Sequence, residues 1–174
     1  TKNTLDKKNK ITNNINELSD LIGEAIDKTK YIAKGLCPVT LYEKSFIYNI
    51  RELIENIRKI YNKECVFTYN REVSFKDEMI SLNIFRIIQE SMNNAFKYSG
   101  TERIDLNIHD DSQFFKMTII DYGKGFVLTS QEKGMGLNIM KYRAKLINAE
   151  LKITSEIDKG TTLSLTLKKE VTNE

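Results

Sequence analysis

The sequence has no tryptophan, a single proline, a single histidine and two cysteines. Cys37 and Cys65 are far apart and lack the close spacing of metal ligands, so buried or idle thiols in a reducing compartment are the expected state. No apolar run approaches the ~18 residues that a membrane-spanning helix needs, and no signal peptide with a charged start and an apolar centre is present. These absences predict a soluble, cytoplasmic stretch of chain without membrane contact. They leave open a membrane anchor in the full-length protein.

The composition fits one globular domain with an appendage. The chain has 174 residues, of which 40% are hydrophobic, and this is enough for one good core. The formal net charge of +3 is mild. Such a charge is compatible with a nucleotide or an acidic partner, but it does not require nucleic acid, and no nucleic-acid-binding motif is present. Nucleic acid is therefore not expected among the partners.

Residues 11–36 carry a heptad pattern, which is typical of a helix that packs against another helix. Eight positions alternate spacings of four and three, and all but one are apolar: Ile11, Ile15, Leu18, Ile22, Ala25, Thr29, Ile32 and Leu36. Gly35 and Pro38 are stop signals at the end of this helix. A partner helix and packing on the chain's own domain both remain open as interpretations. The predicted organisation is a helical region at 1–40 and a second domain at 41–174.

The rest of the chain alternates helical and extended patterns. Apolar residues recur at helical spacing in three segments: 41–62, about 78 to 99, and 137–148. Alternating polarity or β-branched residues mark five predicted strands: 64–69, 104–109, 114–121, 151–155 and 162–167. This order predicts an α+β fold, a two-layer sandwich of about three helices on a mixed, mostly antiparallel five-stranded sheet, preceded by the long heptad helix.

The predicted helix at 84–99 has an unusual polar stripe. Glu90, Asn94, Lys97 and Tyr98 are spaced i, i+4, i+7 and i+8, so an ideal helix places them on one face. Asparagine has a poor helix propensity, which makes Asn94 an odd choice for a merely solvated face. An acid, an amide, a cation and a phenol in one column could hold a metal ion and a phosphate chain. The alternative is an ordinary polar face with favourable side-chain pairs.

Three glycine-containing motifs follow this helix. Asp121-Tyr122-Gly123-Lys124-Gly125 ends a strand, where a carboxylate can accept a hydrogen bond from an exocyclic amine such as that of adenine. Gly134-Met135-Gly136-Leu137 opens a helix, whose free N–H groups form an anion site. Gly160-Thr161 begins the last strand. Each of these three motifs alone has an ordinary alternative: a polar turn, a helix start or a hairpin. Together with the polar stripe they make four motifs, and chance alignment of all four in this order is improbable.

The motifs resemble those of the ATP-binding catalytic domain of sensor histidine kinases, within the wider ATPase group that includes gyrase, the Hsp90 chaperones and the MutL proteins. Residues 90–98 match the N box of that family, and the two motifs at 121–125 and 134–137 match its two glycine boxes. The resemblance covers roughly residues 43–168. Gln89-Glu90, the segment 140–144 and a short lid from Phe126 to Lys133 resemble the branch related to nitrate sensors and thermosensor kinases. Helix 11–36 resembles the second dimerisation helix of that branch.

The resemblance implies a role for each site residue. Asn94 would coordinate Mg²⁺, a hard ion that suits oxygen ligands, and Glu90 would lie near the same ion, so these two form the implied catalytic and metal-binding pair. Lys97 and Tyr98 would contact the phosphates, although the position of Tyr98 often holds a histidine in this branch. Asp121 would bind the adenine amine, and Thr161 would support the adenine pocket. The implied nucleotide-binding set is Asn94, Lys97, Tyr98, Asp121, Gly123, Gly125, Gly134, Gly136, Leu137 and Thr161.

The phosphoacceptor of such a kinase is a histidine, and the chain has only His109. His109 lies on the polar face of a predicted strand and fits no acceptor motif. The sequence therefore predicts an ATP–Mg²⁺-binding, phosphoryl-donor piece of a two-component sensor kinase, which transfers the γ-phosphate to a histidine outside this chain and does not phosphorylate itself. The implied partners are a second copy, bound through the helical region of the full-length protein, and a response regulator.

Two alternatives remain beside this interpretation. One is a serine kinase of the anti-sigma-factor type, which shares the ATP-binding fold but lacks a preceding dimerisation helix. The other is a nucleotide-gated binding module without catalysis, against which the presence of Glu90, Asn94, Asp121 and the four glycines argues. Phosphorylation of a partner serine would favour the first, and weak nucleotide binding without dependence on Mg²⁺ would favour the second.

Overall fold

The computed structural model describes residues 45–127 and 135–169. Helix 11–36, the region 1–40, Cys37, Gly134 and most of the lid lie outside the described residues, so the predictions made for them stay predictions. In the described ranges the elements follow one another as α1 (Phe46–Tyr61), β1 (Glu64–Tyr69), α2 (Glu78–Asn94), a π-helical segment (Ala95–Ser99), β2 (Arg103–Asp110), β3 (Phe114–Asp121), α3 (Met135–Leu146), β4 (Glu150–Glu156) and β5 (Gly160–Lys168).

The five strands form one sheet in the order β1-β2-β3-β5-β4. β1 and β2 pair in parallel, while the pairs β2–β3, β3–β5 and β4–β5 are antiparallel. One face of the sheet is covered by the helices. The predicted α+β sandwich of three helices on a mixed, mostly antiparallel five-stranded sheet is confirmed.

The alternation along the strands explains why only one face of the sheet is covered. In β2, Ile104, Leu106 and Ile108 are buried, whereas Asn107 and His109 on the other face are exposed. Buried side chains of β3 and β5 continue the same inner face. The core therefore lies between this face and the helices, and the opposite face of the sheet is polar.

Helix α1 begins at a side-chain cap. The Oγ of Ser45 accepts a hydrogen bond from the backbone N–H of Tyr48 at 3.2 Å, which satisfies a free donor of the first turn. The helix ends at Asn62, whose left-handed backbone (φ 51°) stops the helical hydrogen bonding. Residues 41–44 of the predicted helix lie outside the described part.

Helix α2 is the element that presents the polar stripe. Its N-cap is Asp77, whose side chain accepts from the N–H of Met79 at 2.8 Å. Six of its residues are buried: Asn83, Ile84, Phe85, Ile87, Ile88 and Met92. This apolar face fixes the rotation of the helix on the sheet and thereby decides where Glu90 and Asn94 lie.

Two observations bear on predictions drawn from absences in the sequence. Within 45–127 and 135–169, none of the helices combines the length and the apolar character that crossing a membrane requires. Cys65 is fully buried in β1, and burial raises the pKa of its thiol to about 11. The expected burial is therefore confirmed for this cysteine.

Candidate functional site

Glu90 and Asn94 form a hydrogen-bonded pair on the last turn of α2. The amide Nδ2 of Asn94 donates to Oε1 of Glu90 at 3.0 Å, across one helical turn. Both side chains are half-buried. Among the described residues, the amide oxygen Oδ1 of Asn94 and the second carboxylate oxygen of Glu90 have no hydrogen-bond donor. Two oxygen ligands are thus held side by side and remain available.

The polar stripe predicted for residues 90–98 is interrupted. After Asn94 the backbone becomes π-helical over Ala95–Ser99, which changes the number of residues per turn. Ala95 and Phe96 point into the core, while Lys97 and Tyr98 are exposed, the latter at 66%. Within the described ranges the structure shows no contact between Lys97 or Tyr98 and the Glu90–Asn94 pair. π-helical turns of this kind are often found at functional sites.

Gly136, in the first turn of α3, lies directly on the Glu90–Asn94 pair. A Cβ atom at this position would overlap Oε1 of Glu90 and would lie 3.1 Å from Nδ2 of Asn94. Only a glycine therefore lets the N-terminus of α3 approach the pair without displacing the carboxylate. This contact joins the N box and the second glycine box. Leu137, the next residue, is partly buried and packs against the hydrophobic core.

Asp121 is a buried carboxylate at the end of β3. Its side chain is only 6% exposed, and its Oδ1 accepts a hydrogen bond from the N–H of Gly123 at 3.0 Å. Gly123 packs so closely on Ser99 that a Cβ would overlap the Ser99 carbonyl oxygen. The N–H of Lys124 donates to that same carbonyl at 2.8 Å. The first glycine box is therefore held against Ser99, the last residue of the π-helical segment and the residue that follows the N box.

The third motif lies beside Asp121. Thr161 on β5 is the antiparallel partner of Asp121 on β3. The Oγ1 of Thr161 lies 3.1 Å from the Oγ of Ser155, and that oxygen also accepts from the N–H of Phe126 at 2.9 Å. Ser155 thus ties the loop after the first glycine box to the last hairpin. No motif pointed to Ser155, because its contribution depends on strand register rather than on local sequence.

Tyr122 anchors the first glycine box on the opposite face of the sheet. Its hydroxyl donates to Oδ2 of Asp105 at 2.7 Å, and Nε of Arg103 donates to the same carboxylate at 2.7 Å. The Arg103 hydrogen bond lowers the pKa of Asp105, and the hydrogen bond to Asp105 raises the pKa of Tyr122. No sequence motif pointed to this cluster. It holds the chain between Asp121 and Gly123 from behind.

The structure thus brings the predicted residues into two groups. Glu90, Asn94 and Gly136 form one group, and the second contains Asp121, Gly123, Gly125 and Thr161. The two groups are linked through the chain, because Ser99 ends the helical segment that follows Asn94 and contacts Gly123 and Lys124. The first group has the hard oxygen donors that Mg²⁺ prefers, and this ion commonly uses one or two protein oxygens and takes the rest from phosphates and water. Helix α3 begins at Met135, so its first turn lies at the same place, and the N–H groups of a first helical turn suit an anion. The residues present therefore fit a magnesium–polyphosphate ligand.

The family comparison agrees with this geometry. Residues 79–171, a little over half of the chain, match the family described as histidine kinase-, DNA gyrase B-, and HSP90-like ATPases. The matched region begins in α2 and ends after β5, so it contains both groups of site residues.

Three solved structures have a similar fold. The histidine kinase domain of the blue-light activated histidine kinase from Erythrobacter litoralis EL346 shares 17% identity with a TM-score of 0.57, covering 71% of this chain and 60% of that domain. The mycobacterial sensor histidine kinase MprB shares 19% with a TM-score of 0.55, covering 72% of this chain and 95% of that one. The histidine kinase AdeS of Acinetobacter baumannii shares 14% with a TM-score of 0.55, covering 68% and 64%.

These identities establish likeness of fold. The chain spans 60% of the Erythrobacter kinase domain and 45% of a longer chain of the same kinase. What the matches share with this chain is its overall fold.

Proposed function

Because the chain belongs to the histidine kinase-, DNA gyrase B-, and HSP90-like ATPase family, we propose that it binds ATP with Mg²⁺ and acts as the phosphoryl-donor domain of a two-component sensor histidine kinase. The observation that carries the proposal is the contact of Gly136 with the Glu90–Asn94 pair. It places a glycine-bearing helix N-terminus, which suits phosphates, beside two oxygen ligands, which suit a divalent cation.

The residues divide the work by their chemistry. Asn94 offers its amide oxygen to the metal ion and Glu90 holds that amide in place and lies beside the same ion. Asn94 and Glu90 would hold the Mg²⁺ ion, which would supply positive charge against the phosphate oxygens. Asp121 accepts the exocyclic amine of adenine, and Thr161, its partner in the sheet, supports the adenine pocket together with Ser155. Lys97 and Tyr98 contact the phosphates, and Gly134 lets the lid fold over the nucleotide, as the family motifs imply.

The position of His109 favours a phosphoacceptor histidine that lies outside this chain. Its side chain is 60% exposed on the outer face of the sheet, near Asp111, whereas Glu90 and Asn94 lie on a helix that covers the inner face. His109 is also the only histidine in the sequence. The histidine that receives the phosphate then belongs to another segment of the full-length protein. That protein acts as a homodimer and passes the phosphate to a response regulator. The narrower likeness to nitrate-sensor and thermosensor kinases stays a prediction.

The isolated chain is therefore expected not to phosphorylate itself. Incubation with ATP labelled at the γ-phosphate, followed by acid treatment and electrophoresis, should leave no acid-labile label on this chain. Acid-labile label on it, and its loss in His109→Ala, would contradict an external acceptor. Acid-stable label on a serine of an added partner protein would instead favour the serine-kinase alternative.

Removing the amide of Asn94 tests the metal site. Asn94→Ala is expected to weaken binding of ATP in the presence of Mg²⁺ by roughly 10- to 100-fold. The reason is that the substitution removes the amide oxygen that would bind the ion directly. Titration calorimetry with ATP, once with Mg²⁺ and once with EDTA, measures this loss. Wild type should bind more tightly with Mg²⁺, and the variant should show little difference between the two conditions.

Asn107→Ala is the matched control, since Asn107 is an exposed asparagine on the outer face of the sheet. It is expected to bind ATP as wild type does. If wild type and Asn94→Ala bind equally weakly, with or without Mg²⁺, a non-catalytic nucleotide-gated module becomes the better description.

A further inference from the structure

Helices α2 and α3 are joined at a second place, away from the Glu90–Asn94 pair. Asn83 is 2% exposed on α2, and its Oδ1 accepts a hydrogen bond from Nη1 of Arg143 on α3 at 3.1 Å. The Nδ2 of Asn83 donates to the carbonyl of Met79 at 2.8 Å, which fixes the orientation of the amide. The Asn83 oxygen that accepts from Arg143 is therefore held in one position. The hydrogen bond between Arg143 and Asn83 thus determines where α3 lies along α2.

The two contacts between these helices have matching spacing. Asn83 precedes Glu90 by about two helical turns, and Gly136 precedes Arg143 by the same number of residues. The helices consequently run in opposite directions, with Arg143 on Asn83 at one end and Gly136 on Glu90 at the other. At 1.5 Å per residue the contacts are about 10 Å apart along the axes. Two fixed points at this separation determine both the axial position and the rotation of α3.

Nonpolar packing alone defines the position of α3 poorly. Among its residues only Met140 and Ala144 are buried, and Leu137 is partly buried against the core. Side chains of four other apolar or aromatic residues of this helix are largely exposed: Met135, Ile139, Tyr142 and Leu146. Because so little apolar surface of α3 interlocks with its neighbours, the directional hydrogen bond from Arg143 contributes a large share of what determines the position of α3 on α2.

We infer that Arg143 is a positioning residue for the ATP–Mg²⁺ site: through Asn83 it sets the place of α3 on α2, and thereby holds Gly136 against the Glu90–Asn94 pair. Arg143 touches neither the pair nor Gly136 and acts over two helical turns. The inference rests on the proposed function for its nucleotide part, whereas the part that concerns helix position is independent of any ligand.

The helix-position part is tested without nucleotide. In two-dimensional ¹H–¹⁵N spectra of the chain, Arg143→Ala is expected to shift the backbone amide signal of Gly136 and the side-chain amide signals of Asn94. Lys145→Ala, which removes an exposed cation from the same helix, should leave both sets of signals unchanged. Signals of Gly136 and Asn94 that stay at their wild-type positions in Arg143→Ala would overturn the inference, whatever happens to binding.

The nucleotide part is tested by titration with ATP. Arg143→Ala should weaken binding in the presence of Mg²⁺ by about tenfold and reduce the advantage that Mg²⁺ gives, as loss of a supporting contact near a metal site commonly does. Arg143→Lys, which keeps one donor, should lie between the alanine variant and wild type, and Lys145→Ala should match wild type.

The possible outcomes separate the two claims. A lower melting temperature for Arg143→Ala with unchanged ATP affinity and unchanged Mg²⁺ dependence would reduce Arg143 to a structural role and overturn its place in the ATP site. If wild type itself binds no ATP, the proposed function fails, and the nucleotide part of the inference fails with it. Shifted Gly136 and Asn94 signals would then still support the positioning of α3 by Arg143.

Discussion

Replacing Gly160 with alanine is expected to lower the free energy of unfolding by roughly 3–5 kcal/mol, because two separate costs combine at this residue. Gly160 has a φ of 84°, a backbone conformation that a residue with a Cβ adopts only with strain. The added Cβ would also overlap the carbonyl oxygen of Asp121 on the neighbouring strand. Since β5 pairs with β3 on one side and β4 on the other, neither strand can move away freely. Urea denaturation followed by circular dichroism measures the loss.

Gly100 offers a control that separates the two costs. It has a similar φ of 71°, but a Cβ there would have no atom within 4 Å. Gly100→Ala should therefore cost only the backbone strain, about 1–2 kcal/mol. Equal losses for the two variants would mean that the crowding at Asp121 contributes nothing. We expect Gly160→Ala to lose more free energy of unfolding than Gly100→Ala. If the folded Gly160→Ala protein also binds nucleotide more weakly, the glycine is linked to the position of Asp121.

The strands could be predicted closely from the sequence. The predicted strand 114–121 and β3 have the same bounds, because one residue in two faces the core throughout and the pattern ends at Asp121. The strand predicted at 162–167 begins two residues earlier, at Gly160. Glycine has a low strand propensity, so local sequence gave no reason to include it. Its place in β5 is determined by pairing with β4, which is a tertiary effect.

The helices were predicted with less accurate ends. The pattern predicted a helix at 137–148, whereas α3 spans Met135–Leu146. Ile147 is buried and so extends the apolar pattern, but the backbone has already turned, and Asn148 has a φ of 52°. The π-helical segment at Ala95–Ser99 was predicted as ordinary helix. The wider turn of a π-helix leaves no mark in composition, so the pattern could not show that the ideal helical spacing of Lys97 and Tyr98 ends after Asn94.

Some neighbours within the candidate site could be predicted from the sequence, but the residues that position them could not. Helical spacing joined Glu90 to Asn94, which the structure shows hydrogen-bonded, whereas the pairing of Asp121 with Thr161 became evident only from the strand register. The residues that hold these groups in place, such as Ser155 and Asn83, became evident only from the structure. Each of them acts across elements that are distant in sequence, through strand register or helix packing. Local patterns carry no information about such contacts, and so motif reasoning finds ligands more readily than the residues that position them.

Changing Asp121 to asparagine is expected to weaken ATP binding by about 100-fold. The change removes a charged acceptor for the adenine amine and places the NH₂ group of the asparagine, another donor, against that amine. The N–H of Gly123 donates to Oδ1 of Asp121, so an asparagine is held with its oxygen toward Gly123 and its NH₂ group toward the remaining side. That NH₂ group would face the exocyclic amine of adenine. The buried surroundings of this side chain prevent water from compensating.

The identity of the base gives this prediction its sharpest readout. Guanine carries a carbonyl oxygen where adenine carries its amine, so the asparagine amide can donate to it. Asp121→Asn should therefore reduce the preference for ATP over GTP, measured as the ratio of the two dissociation constants in Mg²⁺. Glu55→Gln makes the same carboxylate-to-amide change on the exposed side of α1 and should leave both constants unaltered. If Asp121→Asn weakens ATP and GTP binding equally, the residue acts only on the loop at Gly123, and recognition of the adenine amine belongs elsewhere in the site.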